Sequence, residues 1–198
     1  MKQKIQITGM ELNRFKRLLP LLALIAVACS DPFGPQFWNP APWPVTMYSA
    51  SRTEYVGLGS AVDFTQDPVS TISIEAPGAT GNWDVVLVDQ PGGGLALLSA
   101  QVLSGFTSRA RIAVIEDRAF LDVREAPRDT AAYSVGPVAL RTGVVYVIRT
   151  RRGSCGFTTG HRYAKMQPIE IDTARGIFRA VVVRNPFCDD RALVPPAD

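Results

Sequence analysis

Residues 163–184 read YAKMQPIEIDTARGIFRAVVVR, and the reading of this stretch decides the fold. Two runs rich in β-branched and apolar residues, Tyr163–Ile171 and Ile177–Arg184, flank the turn Thr173-Ala174-Arg175-Gly176. That arrangement predicts a β-hairpin. A period of two puts Tyr163 with Lys165 on one face and Ala164 with Met166 on the other. A turn with two central residues sets Glu170 opposite Arg179. A three-residue loop with Gly176 in the left-handed region shifts the register and loses that pair. The run VVYVIRTR (144–151) obeys the same period, with Val145, Val147, Arg149 and Arg151 on one face and Tyr146, Ile148 and Thr150 on the other.

Working outward, short β-branched and aromatic runs alternate with Gly, Pro, Asn and Asp. Strands are expected at 45–49, 70–75, 83–89, 95–100, 110–116, 119–125 and 144–151, beside the two of the hairpin. DQPGGG (89–94) reads as a second hairpin turn. No segment sustains a 3.6-residue apolar period, although a short helix near 57–66 or 100–109 stays open. The expectation is an all-β domain over residues 45–198, a mostly antiparallel sandwich or barrel-like sheet.

The net charge of +3 is unevenly placed. Residues 1–28 hold five of the 21 Lys and Arg and one of the 18 Asp and Glu, which leaves 16 bases against 17 acids after Ala28. The basicity belongs to the leader, and no nucleic-acid partner is implied.

That leader carries Arg14, Lys16 and Arg17 ahead of the apolar run Leu18–Ala28, interrupted by Pro20. Eleven residues are too few for a transmembrane helix, which needs about 20. A basic stretch, a short apolar stretch and small residues at its end form a secretory signal over 1–28. Met10 offers a tidier start than Met1.

Ile25-Ala26-Val27-Ala28-Cys29-Ser30 resembles the lipobox of bacterial lipoproteins, with Ala26 where that family more often has Leu. The resemblance implies cleavage before Cys29, acylation of Cys29 and a membrane partner through its acyl chains. Two or more chains hold a protein durably where one does so only marginally. Ser30 after the cysteine implies export to the outer membrane. An ordinary cysteine behind an Ala-x-Ala cleavage site is the competing reading.

Residues 30–44, with five prolines and four aromatics, read as an extended spacer after the lipidated cysteine. Phe33, Phe37, Trp38 and Trp43 either lie at the bilayer interface or pack on the domain.

Cys155 and Cys188 are the cysteines left after Cys29. An exported chain oxidises, and both fall near the open end of the last hairpin, so they are expected to form a disulfide. Closing a loop of about 34 residues contributes about 3–4 kcal/mol. The competing idea is Cys155 as a hydrolase nucleophile with His161, the only histidine, as its base. The spacing matches no nucleophile signature, and a disulfide consumes the thiol. No catalytic or metal site and no cofactor is expected: there is one His, Cys188-Asp189-Asp190 lacks the alternate spacing of a calcium loop, and PGGG (91–94) lacks a following helix. GSCGFTTG (153–160) reads as a loop.

Arg149, Arg151, Arg152, Arg162 and Lys165 are expected to converge at the open end of the hairpin. There they would bind an anionic ligand or envelope component, or merely protect a sheet edge. Finally, VTMYSA (45–50), SAVDF (60–64), NWDVVLVD (82–89), GVVYVIRTR (143–151), and YAKMQPIEID (163–172) with FRAVVVRNPFC (178–188) resemble, in their order, small envelope lipoproteins of environmental bacteria that carry no assigned activity. The expected function is that of a lipid-anchored structural or binding module of the bacterial envelope, not an enzyme.

Overall fold

The computed structural model describes residues 38, 41–102, 109–134, 136–155 and 157–196, so the leader, Cys29, Phe33 and Phe37 lie outside the described residues. The strands are β1 (Trp43–Tyr48), β2 (Ala61–Asp63), β3 (Ser70–Ile72), β4 (Val85–Asp89), β5 (Leu95–Ser99), β6 (Arg111–Ile115), β7 (Tyr133–Ser134), β8 (Val138–Ala139), β9 (Val145–Arg149), β10 (Gly153–Cys155), β11 (Thr158–Gly160), β12 (Tyr163–Asp172) and β13 (Ile177–Arg184). They form a six-stranded sheet β1-β13-β12-β9-β6-β7, a five-stranded sheet β3-β2-β4-β5-β8 and the small ribbon β10-β11. Every pairing is antiparallel. Described helical structure is limited to 3-10 turns, and none is long and apolar enough to cross a membrane.

β12 and β13 build the expected hairpin. Its register is Asp172↔Ile177, Ile171↔Phe178 and Glu170↔Arg179, which leaves Thr173–Gly176 as a four-residue connection. Glu170 and Arg179 pair at 2.9 Å although Gly176 does adopt the left-handed region, at φ 69°. The longer loop accommodates both features that the sequence set against each other. Arg52 holds the turn, donating to Ala174 O and Thr173 O at 2.7 and 2.8 Å while pairing with Asp89 at 2.9 Å.

A bulge at Ile169 separates Pro168↔Ala180 from Glu170↔Arg179. It shifts the parity of the strand, so Ala164, Met166 and then Ile171 all meet the same core. Pro168 lies beyond the part of β12 that pairs with β9, where its missing N–H costs nothing.

The main core lies between the two sheets. Val45, Met47, Tyr146, Ile148, Ala164, Met166, Phe178, Ala180 and Val182 come from one, and Val62, Val85, Leu87, Leu95, Leu97 and Val138 from the other. The fold is therefore a sandwich. Alternate residues Val145, Val147, Tyr163 and Val183 face outward, under a cover of Phe120, Val123, Ala126, Leu193 and Trp38. On the far side of the second sheet, Trp83 is buried with Ala61, Val86, Leu98 and Ala100.

Four expectations change. Residues 119–125 are not a strand: Phe120–Asp122 is a 3-10 turn, and Glu125 makes a single bridge to Ala192. Buried Phe120, Val123 and Ala126 recur every three residues, a turn spacing that buries one side without alternation. The helix considered near 57–66 is absent, because Ala61–Asp63 is wholly buried strand β2. Residues 153–155 and 158–160 form a paired ribbon where a loop is expected. Trp43 and Pro44 belong to β1 and not to the spacer. Trp38 packs on the domain, edge-on to Phe187 at 6.5 Å.

Candidate functional site

Asp63 ends β2 and Asp84 precedes β4, at the same end of two paired strands. Two neighbouring carboxylates inside a sandwich stay charged together only beside a cation. Arg151, just past the end of β9 in the other sheet, supplies it. Its Nη1 and Nη2 grip Asp63 Oδ1 and Oδ2 at 2.9 and 3.0 Å, and Nη2 also donates to Thr65 Oγ1 at 3.1 Å. Nη1 lies 3.3 Å from Asp84 Oδ2. Asp84 in addition accepts the backbone N–H groups of Arg151 and Phe64 at 2.7 and 2.9 Å. One arginine thus joins both sheets through two acids.

The two carboxyls respond in opposite directions. Complete burial pushes Asp84 up to about 6, against the pull of Arg151 and of the two amides. Burial also works to raise Asp63, but hydrogen bonds from Arg151 and Thr65 outweigh it and hold that carboxyl below its ordinary value.

Further arginines pin the segment that follows β2. Arg184 pairs with Asp67 at 2.9 Å, and both Arg184 and Arg162 direct Nη1 at the Thr65 carbonyl from 3.4 Å. Arg162 continues to Pro186 O and Ser154 O at 3.1 and 2.9 Å, tying the ribbon and the C-terminal tail to the same point.

The pinned segment forms one wall of a cleft of about 510 Å³, with Asp63, Gln66, Asp67 and Pro68 on that wall. Ser70 adds a hydroxyl, and the loop from Ala76 to Asn82 closes the other side. Apolar Pro68, Ile72, Ala76 and Pro77 dominate the lining, and both of its carboxylates, Asp63 and Asp67, are already paired with Arg151 and Arg184, so the cleft suits a mainly apolar, uncharged group. No group of three or more His, Cys, Asp or Glu able to hold a metal occurs among the described residues.

The five expected cations do not form one patch. Arg151 and Arg162 turn inward as described. Lys165 lies on the opposite face of the sheet, 2% exposed, where Nζ donates to Phe120 O and Val123 O at 2.8 and 2.9 Å and sits 4.7 Å over the Phe120 ring. Period two separates Lys165 from Ala164, and the outer cluster buries the face on which Lys165 lies. Arg152 is exposed and donates to Thr159 O at 3.0 Å. Arg149 is half-buried at the end of β9, opposite Tyr163 and Arg111.

Cys155 and Cys188 form a disulfide, with Cα atoms 6.1 Å apart, at the open end of the β12-β13 hairpin. The thiol is thereby unavailable as a nucleophile. His161 Nδ1 lies 2.6 Å from the Thr150 carbonyl, which only accepts, so Nδ1 carries the proton. Burial lowers the imidazole's pKa below its ordinary value.

Sequence reading missed Asp63 and Asp84, although both stand as lone acids inside apolar runs, SAVDF and NWDVV. An acid in such a run is almost never fully buried without a partner. The chain matches no protein-family model and no curated protein sequence.

Proposed function

We propose that the protein is a lipid-anchored module of the bacterial cell envelope, held at the outer membrane by acyl chains on Cys29, that binds or braces a partner without catalysing a reaction. The observation that carries this reading is the Cys155–Cys188 disulfide. Such a bond persists in oxidising compartments, which agrees with the secretory leader and the lipobox-like Ile25–Cys29. The binding role rests on the cleft beside Asp67, one wall of which is fixed by arginines from the opposite sheet. A mainly apolar, uncharged part of an envelope component fits its lining better than an anion does. The engagement of Arg151, Arg162 and Lys165 within the fold also argues against a broad anion site at the hairpin end.

Replacing Cys29 by Ala and fractionating cells tests the anchor. The expected result is loss of the acyl mass and release from the membrane fraction. A Cys29→Ala chain that stays membrane-bound at its processed mass overturns the reading.

A further inference from the structure

We infer that the β10-β11 ribbon is a second membrane contact, whose tip ring Phe157 rests in the bilayer interface while the N-terminal anchor holds the domain there. The inference rests on the lipid-anchored reading and adds to it an orientation.

The first observation is where the tether ends. Trp38 is the first described residue, and it packs edge-on against Phe187 at 6.5 Å. Phe187 precedes Cys188, which is bonded to Cys155 in β10. The chain from a membrane-held Cys29 therefore joins the domain beside the ribbon. Trp38 lies nine positions after Cys29, a reach of at most about 30 Å. That is shorter than a domain of this size needs to turn its far end to the membrane.

The second observation is what the ribbon presents. Phe157 is 91% exposed, the most exposed large hydrophobic residue described, and Phe187 on the other side of the disulfide is 38% exposed. Ser154, Thr158 and Thr159 are exposed between them, and Arg152 stands at the base. The ribbon carries no acid. Rings flanked by hydroxyls and a cation suit the headgroup region, where an aromatic body is dry and its surroundings are wet.

The third observation is rigidity. The disulfide, the Arg162 bonds to Ser154 O and Pro186 O, and the Asp189 bonds with His161 fix the ribbon on the sandwich. A ribbon held at its base brings the ring to an interface at reduced ordering cost. Asp189 and Asp190 on the neighbouring tail offset Arg149 and Arg152, and the chain after Ala28 is close to neutral. Insertion of the ring, not charge, is therefore what holds the tip.

The test uses the full mature chain, purified from membranes and placed on phosphatidylcholine vesicles brominated at shallow or deep acyl positions. Phe157→Trp adds one indole, and the wild-type chain supplies the background from the native tryptophans. The expected result is a blue shift of the added emission on vesicles and its loss to the shallow bromines more than to the deep ones. Intact-mass measurement on the same sample reads acylation separately. An acylated chain on vesicles whose added emission neither shifts nor quenches overturns the inference and leaves the anchor standing; the tip then faces a protein partner or solvent. A chain without acyl mass overturns the anchor, and this orientation with it, because the short tether then fixes nothing.

Discussion

Arg151 and Asp63 form a two-pronged ion pair, at 2.9 and 3.0 Å, between residues 88 apart in the chain and in different sheets. Asp63 is 4% exposed and Asp84 is fully buried, so removing the guanidinium leaves two acids without their cation. Arg151→Met is expected to cost about 3–5 kcal/mol in urea unfolding, the usual effect of stranding a buried charge. Arg151→Lys keeps the charge and loses the two-pronged grip, so its loss is smaller. Asp63→Asn combined with Arg151→Met should be less damaging than the two losses added together. Additive losses would show that the pair is not coupled.

The pH dependence of stability follows from Asp84. Its folded value of about 6 lies above the ordinary 3.8, so the folded chain keeps a proton that the unfolded chain releases in that window. Stability is therefore expected to fall as the pH rises from about 4 to 6, and to level off above that. Asp63 acts in the opposite sense: its depressed value contributes stability above the ordinary aspartate range, and this is lost as the pH falls. Melting temperatures across pH 3–8 check both signs. Asp84→Asn removes the upper slope, and an unchanged slope in that variant would assign the titration elsewhere.

Strand pairing was legible where a strand is long and one face is dry. β9, β12 and β13 each alternate between the inter-sheet core and the outer cluster, and period two reads directly from their residues. β2 is three residues long and buried on both faces, so it offers no alternation to detect. β7 and β8, at two residues each, are shorter than any usable pattern. The site was illegible for a different reason. Arginines near a hairpin end look solvated in one dimension, and only the fold brings Asp63, Asp84 and Asp67 from the other sheet onto them. The half-exposed Glu170–Arg179 pair was foreseeable because hairpin partners are neighbours in sequence.

Lys165 should behave as a structural cation. Lys165→Met preserves the buried stem but strips the donor from Phe120 O and Val123 O. The expected loss is about 1–3 kcal/mol, the cost of leaving buried acceptors unmade. The control is Arg179→Ala, whose half-exposed partner Glu170 predicts a change of about 0–1 kcal/mol. Equal effects of the two variants, measured by the same denaturant titration, would refute the distinction between capping and surface charge.

The ribbon end should depend on both its covalent tie and its packing. The disulfide spans a sequence separation of 33 residues, for which the chain-entropy model gives about 3–4 kcal/mol. Replacing both cysteines by serine is expected to lower stability by about that amount, and reduction of the wild type should do the same. Gly160→Ala probes the packing with both cysteines kept. A Cβ there would stand 2.5 Å from Asp189 Oδ2 and 2.9 Å from Cys188 Cβ, so the tail must move. The expected cost is about 1–3 kcal/mol, the range for overpacking a closed site. Because Asp189 also bonds the His161 amide, that amide should exchange faster in Gly160→Ala than in the wild type. Two alkylatable thiols among Cys155 and Cys188 in the native chain, or an unchanged His161 exchange rate, would break the account of how this end is held.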